Sequence, residues 1–373
     1  MTTKPAGDEW AVIERLLPEG WCEQARITGA FRRARYIRDP ATLLRLLLLH
    51  AANDRGLRET TAKAGAAGLA TLSPVALFLR LRTSAPWLAW IAAGLARAMR
   101  ADSATPLRRR LRAIDSTTIQ GPASTTSGWR LHYSLDLSEL ACDWCELTDG
   151  RGAEAFERIP VMPGDVLVAD RAFFRTPGVR HVVEAGGDLV ARLRWRHARL
   201  EDARGRQVHA LTLARRLRVG QVGDWPVRLP LAGGGSIAGR VVAVRLPHAL
   251  ASRAQRRVEQ RAVRKQHATT DRRTLEAARY VLLFTTLPAE QVDAATVTEI
   301  YRFRWQIELA FKRHKQILQI GRLPHKDPAA AQGWILSKLV MALLLERLYR
   351  NAVAISPWGH RVDGSSVARS AAA

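Results

Sequence analysis

Acidic residues are scarce in this sequence of 373 residues. It contains 34 Asp and Glu against 58 Lys and Arg, which gives a formal net charge of +24 and a pI near 11.3. Such an excess of positive charge is self-repulsive in a folded protein, and a polyanionic partner is the usual compensation. Nucleic acid is therefore the leading candidate partner. Only seven of the basic residues are lysine; base composition of the gene can explain that preference for arginine, but not the shortage of acids.

Cysteines and long apolar runs are also few. Three cysteines exclude a disulfide scaffold and favour a reducing compartment. Cys142 and Cys145 have the spacing of a metal or redox pair, but no second pair follows, so we interpret them as small residues of a half-buried strand. The apolar runs 43–49 and 339–345 are too short to cross a bilayer, and the start of the chain lacks a secretory core. We therefore expect a cytoplasmic protein, nucleoid-associated when bound to DNA, with no membrane partner.

Apolar residues make up 47% of the chain, an ordinary share for a globular protein. At this length they are sufficient to form the cores of two or three domains. Residues 1–105 show helical periodicity and predict an all-helical N-terminal domain. Within it, Ser73 and Pro74 are typical of the N-cap and first position of a helix. Residues 55–82 fit either a helix-turn-helix or a plain helical bundle.

The pattern changes after residue 105. Three strand-like runs between residues 111 and 147 precede alternating strand and helix, which predicts a mixed α/β layer over 106–194. Residues 195–287 indicate a β-rich insertion that ends in an arginine-loaded stretch, 251–273. That stretch is either a solvated face or a phosphate contact. Residues 288–355 return to the layer with a helix over about 294–318 and a second near 329–349, and 356–373 form a flexible tail.

Two aspartates stand out by their context. Asp115 lies within a strand whose apolar neighbours imply burial, where a carboxylate needs a partner charge or a metal. Asp170 directly follows an apolar run, and acids at strand ends of open α/β layers point into the functional crevice. Taken alone, each is more typical of a capping or turn residue.

A third acid, Glu308, belongs to a segment rich in cations and aromatics. On one continuous helix, Arg304, Glu308 and Lys315 fall at about 300°, 340° and 320° when Tyr301 is set at zero. The four residues then share one narrow face. That face is either part of a site or a solvated surface with pairing four residues apart.

This spacing resembles a known signature. Tyr301, two residues, Arg304, three residues, Glu308, six residues, Lys315 is similar to the Tyr-Arg-Glu-Lys signature of DDE transposases of the insertion-sequence-four family. The Ile-Asp-Ser-Thr run around Asp115 resembles that family's first acidic motif, and the Asp-Arg-Ala-Phe run that begins at Asp170 resembles its second.

The resemblance implies a ribonuclease-H-like mixed sheet core with a β-rich insertion and an all-helical N-terminal domain that binds DNA ends. It implies Asp115 on the first strand, Asp170 after the fourth and Glu308 on a late helix. Phosphodiester cleavage needs an in-line nucleophile and a stabilised leaving oxygen, and two Mg²⁺ ions held by three carboxylates supply both. Hard oxygen ligands suit Mg²⁺ or Mn²⁺. In this arrangement Arg304 and Lys315 hold phosphate, and Tyr301 donates to a phosphate oxygen.

The resemblance also implies an aromatic residue that stacks on a base flipped out of a bent DNA end. Tyr280, 28 residues before Glu308, stands where better-known members have Trp. Stacking recovers about 1–3 kcal/mol of the unstacking energy. The alternative is a strand tyrosine packed on the core, and Trp225 is a second candidate for the stacking role.

The sequence therefore predicts a DNA transposase. It is expected to bind terminal inverted repeats, nick with water to leave a 3′-hydroxyl, and join that end to target double-stranded DNA, as a dimer in the DNA complex. The resemblance adds a cut-and-paste route. One alternative is a non-catalytic DNA-binding protein derived from a transposase. A glycoside hydrolase that uses two carboxylates is another, but it gives no reason for a net charge of +24.

Overall fold

The computed structural model describes residues 7–34, 36–52, 56–99, 109–121, 127–264, 270–317 and 323–355; side chains at 7–9, 127, 264, 313–317 and 352–355 lie outside this description. The chain forms two compact units. We call one the helical unit, which comprises Met1–Asp102, Ser116–Gly152 and Glu308–Ala373. The other is the sheet unit, which comprises Ser103–Asp115 and Ala153–Ile307.

The helices, in chain order, are α1 (Gly7–Glu14), α2 (Trp21–Ile27), α3 (Pro40–Ala52), α4 (Leu57–Ala66), α5 (Pro74–Thr83), α6 (Ala85–Ala98), α7 (Thr176–Glu184), α8 (Ala210–Ala214), α9 (His248–Arg264), α10 (Arg272–Ala277), α11 (Ala294–Arg302), α12 (Trp305–Ile317) and α13 (Pro328–Ile355). The strands are β1 (Arg110–Gln120), β2 (Ser127–Asp136), β3 (Ala141–Asp149), β4 (Asp165–Ala169), β5 (Asp188–Arg192), β6 (Leu200–Glu201), β7 (Gln207–Val208), β8 (Val222–Pro230), β9 (Ser236–Arg245) and β10 (Tyr280–Thr285).

Helix α13 is the central helix of the helical unit. Its segment Pro328–Asn351, which contains the apolar run 339–345, is long and apolar enough to cross a membrane by length and composition alone. However, 72% of its most apolar stretch is buried inside the fold. Trp334 and Leu343 are among its buried side chains, and the helix packs on α3, α5 and α6. These contacts are those of the core helix of a globular unit.

The described elements between residues 7 and 99 are all helices, as the periodicity predicts. Ser73 caps α5, because its Oγ accepts a hydrogen bond from the Ala76 amide at 3.1 Å, and Pro74 occupies the first turn. These helices share their compact unit with α13, β2 and β3, and α6 packs on β3. The predicted boundary near residue 105 therefore does not separate the N-terminal helices from the strands and the C-terminal helix.

The sheet unit is built on a mixed sheet. Its strand order is β1-β4-β5-β10-β9-β8-β6-β7, and the residues of β1 from Ser116 onward belong to the helical unit. Strands β1, β4 and β5 are parallel, whereas β10 runs antiparallel to β5 and to β9. All five residues of β4 are buried, as expected for a parallel strand covered on both faces. The predicted β-rich insertion continues this sheet beyond β10.

A buried ionic network holds β1 and β4 together where both strands begin. Arg110 pairs with Asp165 in the strand register, and its guanidinium donates to both oxygens of that carboxylate at 2.9 and 3.0 Å. Arg112 Nη1 donates to Asp165 Oδ2 at 2.9 Å and to the Pro160 carbonyl at 2.7 Å. The Arg112 and Asp165 side chains are 1% and 3% exposed. This network fixes the relative register of two strands that each lead to a candidate acid.

Candidate active site

Three charged residues stand at the same level of the sheet, each directly after the last paired residue of one of three neighbouring parallel strands. The β1–β4 pairing ends at Ile114 and Ala169, and the β4–β5 pairing ends at Ala169 and Ala191. The next residues along the chain are Asp115, Asp170 and Arg192. Since carboxyl ends of parallel strands meet at one edge of a sheet, this register brings the first two predicted acids together.

Asp115 is paired with an arginine that is distant in sequence. Arg304 Nη1 lies 3.4 Å from Asp115 Oδ2, and the two side chains are 17% and 21% exposed. The distance is long for a charge-assisted hydrogen bond, so the contact is mainly electrostatic. The same guanidinium lies over the Tyr301 ring, 5.8 Å from its centroid. Arg304 therefore links the first acid to the tyrosine of the predicted signature.

The environment of Asp170 differs from that of Asp115. Its Oδ1 is buried, and among the described residues no group forms a hydrogen bond with it. Burial raises the pKa of the Tyr301 phenol, the negative charge of Asp170 raises it further, and Arg304 and Arg192 lower it in part. Tyr301 is therefore a protonated donor at neutral pH, close to the charge of Asp170.

The predicted helix over 294–318 is interrupted. Helix α11 ends at Arg302 and α12 begins at Trp305, so Phe303 and Arg304 lie in a turn. The Arg304 amide donates to the Tyr301 carbonyl and the Ile307 amide to the Arg304 carbonyl, which is the tighter spacing of a 3₁₀ turn. The helical-wheel argument for one shared face was therefore wrong, because Tyr301 precedes the break and Glu308 follows it.

Glu308 and Lys315 belong to the helical unit, on α12. Glu308 is exposed in the first turn of that helix, where a carboxylate interacts favourably with the helix dipole. The side chain of Lys315 lies outside the described residues. Within the described part of the chain, no three His, Cys, Asp or Glu side chains form a group that could hold a metal ion.

The pair Asp115 and Asp170 nevertheless has the chemistry of a hard-cation site. Both offer carboxylate oxygens, and the buried Asp170 Oδ1 receives from the described residues none of the hydrogen bonds that such an atom normally has. A bound divalent cation satisfies an atom of this kind, and oxygen ligands favour Mg²⁺ or Mn²⁺ over softer ions. The observed residues therefore fit a divalent metal.

Tyr280 does not present its ring to solvent. It is the first residue of β10, is 5% exposed, and lies opposite Arg245 of β9. A ring buried in the sheet cannot stack on a flipped base without moving, so the geometry agrees with the packed-core alternative. Trp225 is half-buried in β8, and its ring covers Gly223 so closely that a Cβ there would lie 2.2 Å from a ring atom.

Arg192 is a residue that our sequence reasoning did not single out. It ends β5 next to the strand that leads to Asp170, and its charge acts on Tyr301. The indication in the sequence was the same as for Asp170, a charged residue that closes an apolar strand. We passed over it because arginine is common throughout this chain.

Comparison with known proteins identifies the class of enzyme to which this mixed sheet belongs. The family described as "Transposase DDE domain" matches residues 106–345, and the chain belongs to this family. It is therefore a DDE transposase, a polynucleotidyl transferase that acts on DNA, and proteins with this domain generally use divalent metal ions.

Its relatives are transposases of bacterial insertion sequences. The chain is 36% identical over 359 residues to the "Putative transposase InsL for insertion sequence element IS186A" of Escherichia coli (strain K12). The aligned region covers 94% of this chain and 96% of the relative. The chain is also 36% identical over 360 residues, with the same coverage, to the "Transposase for insertion sequence element IS421" of Escherichia coli. The protein is an insertion-sequence transposase.

Proposed function

We propose that this transposase belongs to the insertion-sequence-four group, nicks DNA at terminal inverted repeats with water, and joins the resulting 3′-hydroxyl to target DNA. The observation that carries the proposal is the pair Asp115 and Asp170, which directly follow the last paired residues of the adjacent parallel strands β1 and β4. Arg304 on Asp115 and Tyr301 near Asp170 complete the arrangement. Anionic and cationic groups are thus both available within one small region of the sheet unit.

Asp115 and Asp170 would hold the divalent metal. When bound, two such ions activate the attacking oxygen and stabilise the leaving oxygen of a phosphodiester. Mg²⁺ is the proposed ion, with Mn²⁺ as a substitute, because the donors are carboxylate oxygens. Glu308 is proposed as the third acid on the strength of its signature spacing alone.

The remaining side chains act on the DNA backbone. Arg304 and Arg192 supply positive charge beside the acids, and a guanidinium can bind a phosphate through two parallel hydrogen bonds. Tyr301, kept protonated by its raised pKa, donates to a phosphate oxygen. Lys315 is assigned the same phosphate role from its position in the signature. Tyr280 keeps a structural role in this proposal. Because its ring is buried, it does not support a route through a DNA hairpin.

The test is a metal-dependent nicking assay with the purified chain. Its substrate is a linear duplex that carries the inverted repeats found at the ends of the element that encodes the chain. The proposal expects nicks that leave 3′-hydroxyls at the repeat boundary, in Mg²⁺ or Mn²⁺ and not in EDTA, and strand transfer when target DNA is added. A protein dimer should form on the paired ends. Specific binding without nicking in any metal would instead support the non-catalytic DNA-binding alternative.

A further inference from the structure

Helix α9, in the sheet unit, presents arginines on one side only. Its packed side is formed by small and medium residues that recur at helical spacing: Ala251, Gln255, Val258 and Ala262. Arg253, Arg257 and Arg261 recur every four residues on the exposed side, in a row about 12 Å long at 1.5 Å per residue. Arg256 is exposed beside this row.

The arginine row has no acidic partner within the described part of the chain, and its members take part in no ion pair there. Like charges four residues apart destabilise a helix, so the arginine row does not contribute to the stability of α9. A solvated helix stabilised by its own charges would alternate the two signs. Glu259 is the one acid between His248 and Arg264.

Helix α10 extends the same basic surface. Gln255 of α9 donates to the Leu275 carbonyl of α10 at 3.1 Å, which ties the two helices together. A cleft of about 710 Å³ lies beside them and is lined in part by the exposed Arg272, Arg273 and Arg279.

The two acids of this cleft are already engaged. Glu276 accepts from Arg215 Nε and Nη2 at 2.7 and 2.8 Å, which lowers the pKa of its carboxyl group. Asp271 is paired with Arg196. Both acids thus form ion pairs with Arg215 and Arg196, so Arg272, Arg273 and Arg279 leave a net positive charge on this surface, as an anion-binding site requires.

We propose that the exposed arginines of α9, continued by those of α10, bind the sugar-phosphate backbone of double-stranded DNA without reading its sequence. The surface belongs to α9 and α10, which come between β9 and β10 in the chain, and it is formed by residues other than Asp115, Asp170, Arg192 and Arg304. The inference deepens the proposed function, since it assigns part of the DNA affinity to a second surface.

The experiment measures affinity for a random-sequence duplex as a function of salt, with the full-length chain and no divalent metal. The test variant is Arg253→Ala/Arg257→Ala/Arg261→Ala, because alanine keeps the helix and removes three charges. Its charge-retaining counterpart carries Lys at the same three positions. The matched control, called the edge-strand control, is Arg199→Ala/Arg204→Ala/Arg228→Ala, which removes three exposed charges around β6, β7 and β8, where the sheet ends at the edge strand β7.

The alanine variant on α9 should bind at least about tenfold more weakly at about 0.1 M salt. Its log-log salt slope should fall by about two to three, because each lost phosphate contact removes about 0.9. The lysine variant should keep the parental slope, and thermal melting should show that all variants fold. A slope equal to the parental one, or an equal loss in the edge-strand control, would overturn the proposal. Because no metal is present, this result is independent of whether the chain nicks DNA.

Discussion

In the sheet unit, a fully buried ionic network stands at the start of the strands that carry the acids, whereas in the helical unit an apolar helix passes very close to its neighbour. Arg112 and Asp165 are nearly inaccessible to solvent. In the helical unit, a Cβ at Gly333 of α13 would lie 2.2 Å from the Leu81 carbonyl oxygen at the end of α5. Paired buried charges stabilise the sheet unit at this point, and close contact between helix backbones stabilises the helical unit. Different kinds of substitution should therefore lower the stability of each unit.

The largest effect is expected from Asp115→Asn and Asp170→Asn, which remove the negative charge and keep the shape. Each should lower Mg²⁺-dependent nicking by about a thousandfold or more, because the metal contributes several kcal/mol to the transition state. Duplex affinity should change by less than about threefold. The control is Asp293→Asn, at the N-cap of α11, where Asn caps equally well. Retained nicking in either variant would remove that residue from the site.

The next largest effect is on the stability of the sheet unit. Asp165→Ala should lower the free energy of unfolding by about 3–5 kcal/mol, because it leaves the buried Arg112 without its carboxylate. The comparison variant Asp202→Ala removes a solvent-exposed contact with Arg206, at a carboxylate that also accepts from the Arg204 and Arg206 amides, and should lower stability much less. Denaturant unfolding measures both. Equal effects would mean that the buried network does not hold the strands in register.

A smaller effect, in the opposite unit, tests the role of close packing. Gly333→Ala should destabilise the protein by about 1–3 kcal/mol, because the added methyl group forces α13 away from the Leu81 carbonyl. Gly65→Ala is the matched control, since it lies in an exposed turn of α4 with nothing within 4 Å of an added Cβ. That variant should gain about 0.4–1 kcal/mol. Thermal melting that shifts both variants in the same direction would contradict this account.

The smallest effect concerns Tyr301, a largely buried phenol close to the charged groups of the sheet unit. Tyr301→Phe removes one donor and should slow single-turnover nicking by about tenfold, equivalent to about 1.4 kcal/mol. Tyr36→Phe, at an exposed tyrosine, should have no effect. Because burial and Asp170 raise the pKa of Tyr301, the donor is lost only as pH rises above the ordinary tyrosine range. A loss of nicking near pH 8 that disappears in Tyr301→Phe would contradict this assignment.

Local patterns sufficed to predict much of this structure. The apolar run that became β4 and the serine-proline cap of α5 depend on residues within a few positions of one another. The acids Asp115 and Asp170 stood out because a charged residue in or after an apolar strand is visible without any partner, whereas their proposed role depends on the resemblance of the motifs. The parallel register that sets them side by side follows from the fold class.

Long-range pairings were not predictable from those patterns. Arg304 contacts Asp115 from 189 residues away, and the turn that places it contains neither glycine nor proline to mark the end of α11. Arg112 and Asp165 each look like a solvent-facing residue of a strand until they are paired. The apolar face of α13 can be identified as part of a core only once the three helices that pack on it are known. In each case the decisive energy comes from a partner that is distant in sequence.

The most direct test of the account is a change of metal preference at Asp170. Asp170→Cys replaces a hard oxygen ligand by sulfur, which Mg²⁺ binds poorly and Mn²⁺ accepts better. If Asp170 is a metal ligand, nicking of the repeat-bearing duplex by this variant should be lost in Mg²⁺ and recover by at least about tenfold in Mn²⁺, while the parental chain nicks in both. Parental rates in Mg²⁺, or equal inactivity in both ions, would contradict the claim that the strand-end acids hold the metal.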